Sequence, residues 1–222
     1  MPTDSDPALA APSVRDDGGA AVEPAARRMF LALMPDPAAK ARLSRWLAVP
    51  GTGALPSGWR TTLPDSWHVT LVFMAAVPEA AAGRLLRGIT EVAARTPPLP
   101  LNWGRTGAFP RATSARVAWI GVVDDPIAES GPGHRGVAEL AKASRHAAMA
   151  ARADPDRTTF RAHLTLGRTG RARDLTEYLA QPGAPEGPAW VADRIVLVES
   201  RLGKGEGGRP RYVEMASWPL SS

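Results

Sequence analysis

Two of the chain's four histidines stand in the same short pattern, His68-Val69-Thr70-Leu71 and His163-Leu164-Thr165-Leu166. An imidazole titrates near neutral pH, so two of them at one reacting centre can serve as acid and base in a single displacement. A hydroxyl two residues after each can donate a hydrogen bond to an oxygen that gathers negative charge. Chance yields one such string in roughly one chain in a hundred of this length, and a second copy is far rarer. The competing reading, a β-propensity run that begins with a core histidine, explains one copy better than it explains two.

The chemistry depends on how these residues are displayed. Successive side chains of a strand point to opposite faces. His68 and Thr70 therefore share one face, with Val69, Leu71 and Phe73 on the other, and His163 and Thr165 share a face against Leu164 and Leu166. Each copy reads as a strand with one apolar face and one face carrying an imidazole and a hydroxyl. The rest of the fold must bring the two faces together.

The surrounding pattern supplies candidate scaffolding. A strand is expected over Phe30 to Met34, ended by Pro35. Asp36 can cap a helix with Pro37 at its first position, running to about Ala48 with Ala41, Leu43, Trp46 and Leu47 as its apolar stripe. After the first motif strand, a helix from Glu79 to about Ala94 turns Leu85, Leu86, Ile89 and Val92 inward. Leu101 to Gly107 and Arg116 to Val123 read as paired strands, and a helix follows over about His134 to Ala151. Beyond the second motif come a short helix near Asp174 to Ala180, a β-branched strand over Ala192 to Glu199, and a glycine turn over Gly203 to Gly208. A strand over Tyr212 to Trp218 closes the sheet. The glycine turn lacks the GxxxxGK[ST] pattern of a phosphate loop and reads as a hairpin turn. Strand, helix and strand recur around each motif, which suggests an internal duplication. The mixture of hairpins and helices argues an α+β fold with antiparallel pairing prominent.

The paired motifs identify a resemblance to the 2H phosphoesterases, and within them to the RNA 2′,3′-cyclic phosphodiesterases, also described as 2′-5′ RNA ligases. Arg28-Met29-Phe30-Leu31-Ala32-Leu33 resembles the family's opening strand, and Trp67 to Phe73 its first motif. Phe109-Pro110 with Arg116 to Val122 is similar to the middle hairpin, and Phe160 to Arg168 to the second motif. Ser200-Arg201-Leu202 with Tyr212 to Leu220 resembles the closing hairpin. The likeness spans about residues 27–220. It implies two pseudo-symmetric lobes of mainly antiparallel sheet, with outer helices, around a central cleft lined by the motif strands.

The same resemblance implies hydrolysis of a 2′,3′-cyclic phosphate to a 2′-phosphate, on RNA ends or small nucleotides. His68 would be the proton donor to the 3′ oxygen and His163 the base that activates water, although either ring could in principle take either role. Thr70 and Thr165 carry over as phosphate-holding residues. Arg168 is a further phosphate candidate, but regular alternation places a residue five positions after His163 on the wrong face. It reaches the cleft only if the strand bends or ends near Gly167. Phe30 and Trp67 are candidates for stacking on a base, against core packing as the plainer reading. His134 and His146 lack a repeated context and read as exposed. Two alternatives stay open. A 5′-hydroxyl in place of water would make the protein a 2′-5′ RNA ligase, and loss of turnover would leave an RNA-binding protein on the same fold.

Composition sets outer bounds. At 222 residues the chain can bury one sizeable domain, here residues 27–222, and residues 1–26 read as a disordered tail. There is no cysteine, so disulfides and thiolate metal sites are excluded. The motifs offer two histidines and no acid, a poor metal set, so no cofactor is expected. No apolar run approaches a membrane span and the first residues do not read as a secretory signal, so a cytoplasmic protein is expected; the resemblance implies a monomer whose partner is RNA with a cyclic phosphate end or a 2′,3′-cyclic nucleotide. Lys and Arg number 27 against 22 Asp and Glu, a mild excess that suits phosphate partners and equally fits a solvated basic surface.

Overall fold

A computed structural model describes residues 26–125, 136–181, 183–185 and 187–221. The expected tail, apart from Ala26, and His134 lie outside the described residues. Among the described residues nine strands and four α-helices follow one another as β1 (Arg27–Leu33), α1 (Pro37–Leu47), β2 (Arg60–Thr61), β3 (Val69–Val77), α2 (Glu79–Ala93), β4 (Leu99–Phe109), β5 (Ala115–Asp124), α3 (Val137–Ala150), β6 (His163–Arg173), α4 (Thr176–Ala180), β7 (Trp190–Ala192), β8 (Arg194–Arg201) and β9 (Arg211–Pro219). Pattern reading found these elements except β2 and β7, which are too short to show a period. The fold is α+β.

All nine strands join one sheet in the order β7-β4-β5-β6-β3-β1-β8-β9, with β2 pairing on β6. Every described pairing is antiparallel. The motif strands β3 and β6 are neighbours at the middle of this order, with three further strands on either side. They touch through a single registered pair, Val69 with Leu164. The two sides are the expected lobes, but the chain does not divide between them as a simple duplication. The lobe of β3 is completed by β8 and β9, from the far end of the chain.

The helices also cross over. α1 leaves β1 and buries Leu43 with Ala118, Ile120, Leu164, Leu166 and Tyr178 of the β5–β6 side. α3 leaves β5 and buries Val137, Leu140 and Ala148 with the β1–β3 side and with Leu85 and Ile89 of α2. Asp36 caps α1 by accepting from the Ala39 backbone N–H, and Pro37 fits the first helical turn. Two stripe positions differ from the sequence expectation. Ala39 rather than Ala41 joins Leu43 in the buried stripe of α1, and Leu86 is exposed while Ala81 and Ala93 are buried on α2. In both helices small alanines, which carry little apolar signal, take the tight contacts.

Candidate active site

One step from the Val69–Leu164 pair, antiparallel register sets His68 opposite Thr165 and Thr70 opposite His163. Each imidazole therefore faces the other motif's hydroxyl across the seam, in a local twofold arrangement. The structure brings all four residues to one place, and each is half-buried.

Both rings are held by the same backbone device. His68 Nδ1 lies 2.8 Å from the Ser66 carbonyl oxygen, and His163 Nδ1 lies 2.7 Å from that of Arg161. A carbonyl only accepts, so each Nδ1 carries the proton. Each Nε2 is then the nitrogen that can take or give a proton in chemistry.

The strands then break alternation at matching points. On β3, Leu31 pairs with Val72 but Ala32 pairs with Thr70, so Leu71 is an extra residue. On β6, Ala118 pairs with Gly167 but Trp119 pairs with Thr165, so Leu166 is an extra residue. Each bulge falls on the leucine that ends its motif, and each shifts the face of everything after it. Regular alternation had set Phe73 on the apolar face. The bulge instead turns it to the histidine face, where it packs with Phe30, Ala32 and Tyr212.

The same shift answers the difficulty with Arg168. The strand neither ends nor needs to bend at Gly167, because the phase change comes one residue earlier. Arg168 is exposed, and its charge acts on both imidazoles. Gly167 has its own constraint: a Cβ there would meet Leu55 Cδ1 at 2.5 Å and the Arg60 carbonyl oxygen at 3.0 Å. Phe73 and Arg168 are equivalent positions, five after each histidine.

The two base-stacking candidates are corrected. Trp67 is buried in the second core cluster with Leu43 and Ile120, because the residue before the motif strand turns inward. Phe30 is buried beneath His68, the ring centroids 4.6 Å apart and nearly parallel. Neither offers a free face to a base. Three further rings border the histidines. Tyr212 meets His68 edge-on at 5.3 Å, and Phe109 and Trp119 flank His163 at 5.0 and 5.8 Å. Their signal was absent because each sits on a strand remote in sequence from the motif it touches. His146 lies on α3, among residues of a groove between α2 and α3, away from the pair.

Electrostatics follow from this enclosure. Burial holds the His68 imidazole down at about 4; the Ser66 hydrogen bond opposes that, and the charges of His163 and Arg168 add to it. His163 is also lowered, chiefly by burial, against its bond to the Arg161 carbonyl and with the charges of Arg168 and Arg161. Both rings are thus neutral at pH 7 in the free protein. An anion between them would raise both.

Two cavities open beside the pair. One of about 660 Å³ adjoins Thr70 and His163 and is walled by Phe73, Phe109 and Phe160. The other, of about 370 Å³, adjoins Ser66 and Tyr212 on the His68 side and is lined by arginines. Among the described residues no three His, Cys, Asp or Glu side chains are grouped to hold a metal ion. No helix among them is long and apolar enough to cross a membrane.

Known proteins resemble this chain in sequence and in fold. The sequence model of the family described as "LigT like Phosphoesterase" matches residues 33–119. An RNA 2′,3′-cyclic phosphodiesterase of Archaeoglobus fulgidus is 34% identical over 119 residues, 52% of this chain and 58% of the relative. A protein of the same name from Geobacillus stearothermophilus is 27% identical over 194 residues, 86% of this chain and 56% of the relative. The chain thus spans little more than half the length of these two relatives. Among solved structures, E. coli LigT complexed with 3′-AMP superposes with a TM-score of 0.64 at 23% identity, covering 90% of this chain and 100% of that one. A structure described as a phosphoesterase gives 0.62 at 23% identity, covering 88% and 99%.

Proposed function

We propose that this chain is a LigT-like phosphoesterase of the 2H family and that it hydrolyses 2′,3′-cyclic phosphates at RNA ends or in small nucleotides to 2′-phosphates. The observation that carries this reading is the twofold pairing. Two imidazoles, each with Nδ1 tied to a carbonyl two residues back, leave two Nε2 atoms for one phosphorus.

The cyclic phosphate lies between the rings. His163 Nε2 takes a proton from water as its oxygen attacks phosphorus. The bond from phosphorus to the 3′ oxygen breaks, and His68 Nε2 delivers a proton to that oxygen. Thr70 and Thr165 donate to the non-bridging oxygens, and the Arg168 charge offsets the negative charge gathering there. His68 must be protonated to act, although it is neutral in the free protein at pH 7. The substrate anion increases the protonated fraction, since an opposite charge at 4–6 Å raises such a group by about 1–3 units, from about 4 toward neutrality. The aromatic cavity beside His163 receives the base of the terminal nucleoside. The names of the two relatives and the 3′-AMP complex of LigT support this reading.

The test is turnover of a 2′,3′-cyclic mononucleotide in excess EDTA, with the product position read by phosphorus NMR. Undiminished formation of the 2′-phosphate is expected. A loss restored only by a divalent ion, or a 3′-phosphate product, contradicts the scheme. Addition of a 5′-hydroxyl RNA separates hydrolysis from ligation.

A further inference from the structure

The arginine-lined cavity on the His68 side is more basic than one cyclic phosphate needs. Arg28, Arg60, Arg168 and Arg209 all line it, and no carboxylate among the described residues does. None of the four joins an ion pair among the described residues. The second observation is independent and lies in the backbone. Arg60 and Arg168 are direct partners in the β2–β6 register. Like charges directly opposite on paired strands destabilise a sheet. The two-residue strand β2 holds a guanidinium against that repulsion, close to the reacting phosphate. Planar guanidinium forks suit phosphate oxygens, and several together suit an anion that carries more than one charge.

We propose that this cavity is a second phosphate site, in which Arg60 and Arg209 hold a phosphate on the 5′ side of the terminal nucleoside while Arg168 faces the reacting one. The site deepens the proposed function and rests on it for the placement of the reacting phosphate. Its substrate class is a nucleotide with a further phosphate, supplied by the next phosphodiester of an RNA chain or by a free 5′-phosphate. Tyr212 forms the wall shared with His68, so occupancy of the site borders the catalytic ring.

Binding tests this without turnover. The probes are adenosine 2′-monophosphate, adenosine 2′,5′-bisphosphate and a trinucleotide ending in a 2′-phosphate, titrated calorimetrically into the full chain, Arg60→Gln and Arg209→Gln. The wild type should bind the bisphosphate, the trinucleotide or both at least about tenfold more tightly than the monophosphate. A gain for the trinucleotide alone assigns an RNA chain, and a gain for the bisphosphate assigns a free 5′-phosphate. Each substitution should remove most of that gain, and Arg60→Gln should leave the monophosphate within twofold. For the trinucleotide, the slope of log affinity against log salt should fall by about 0.7 per arginine lost. Relief of the Arg60–Arg168 repulsion should leave the Arg60→Gln thermal midpoint unchanged or raise it by about 1–3 °C. Equal affinity for all three probes overturns the second site, as does an Arg60→Gln protein that weakens all three alike with a lowered midpoint. A protein that binds as expected but turns over no cyclic phosphate would keep the second site and overturn the proposed function instead.

Discussion

His68 and His163 are positioned by one backbone plan and surrounded by different side chains. Each follows a carbonyl that fixes its tautomer, and each precedes a bulge on its motif leucine. Around His68 the neighbours are Phe30 below and Tyr212 at the edge, and the equivalent of Arg168 is Phe73. Around His163 they are Phe109 and Trp119, while the charge of Arg168 reaches both rings. The difference teaches how a symmetric frame can run an asymmetric reaction. Geometry is shared, and in the proposed scheme both Nε2 atoms serve one phosphorus. Proton affinity is set separately by what covers each ring. The deeper ring, held at about 4, surrenders its proton readily once an anion has charged it, which suits a donor.

The comparison breaks most sharply if one ring is removed. His68→Ala and His163→Ala should each lower turnover of a cyclic mononucleotide by about 10²–10⁴-fold. The double variant should fall far short of the product of the two losses, because acid and base serve one displacement. Steady-state rates on the three proteins check this, and a His163→Ala enzyme near wild type would sink the paired mechanism.

Next comes the exchange five residues after each histidine. Arg168→Ala should cost about 10²-fold in kcat, as a lost stabiliser of developing charge. Phe73→Ala should cost several-fold, mostly in KM, through the aromatic cavity. Arg168→Ala should also raise both imidazole pKa values, since its charge lowers them. The pH at which kcat/KM declines on the alkaline side should therefore move upward.

The smallest effects concern pH alone. The alkaline limb of kcat should lie above that of kcat/KM, because bound phosphate raises the donor that the free protein keeps neutral. Stability carries the same signature. His68 has a folded pKa of about 4 against an ordinary 6.5, so its contribution is full above pH 6.5 and is lost as pH falls toward 4. Urea midpoints at pH 4.5 and 7 should differ less in His68→Gln than in the wild type. A difference of equal size in both would remove His68 from the account. His146→Ala should turn over within twofold of wild type.

Much of this was legible from particular residues. The motif repeat named both strands, and the Asp36-Pro37 start and β-branched runs named most of the elements. What stayed hidden was the phase of each strand beyond its motif. A bulge is set by its pairing partner, here β1 for Leu71 and β5 for Leu166, and a partner strand does not show in local alternation. Phe73 and Arg168 were misplaced or left open for that one reason. Tyr212, Phe109 and Trp119 went unassigned because only the sheet order brings them to the histidines. Trp67 stands beside a motif residue in the chain yet faces the core, and Phe30 shares the histidine face but is covered by His68.

The crossed helices have a thermodynamic consequence. α1 starts from one lobe and is buried in the other, and α3 makes the reverse journey. Neither lobe owns a complete apolar interior, so melting one strips a helix anchor from its neighbour. Although β3 and β6 share one registered pair, the two sides should unfold as a single cooperative unit rather than as two. Leu43→Ala, far from both histidines in the sequence, should cost about 2–5 kcal/mol and shift one transition without splitting it. Cutting the chain between the motifs should yield fragments that do not fold apart. Integrity of the whole domain is thereby a condition of having both imidazoles on one seam.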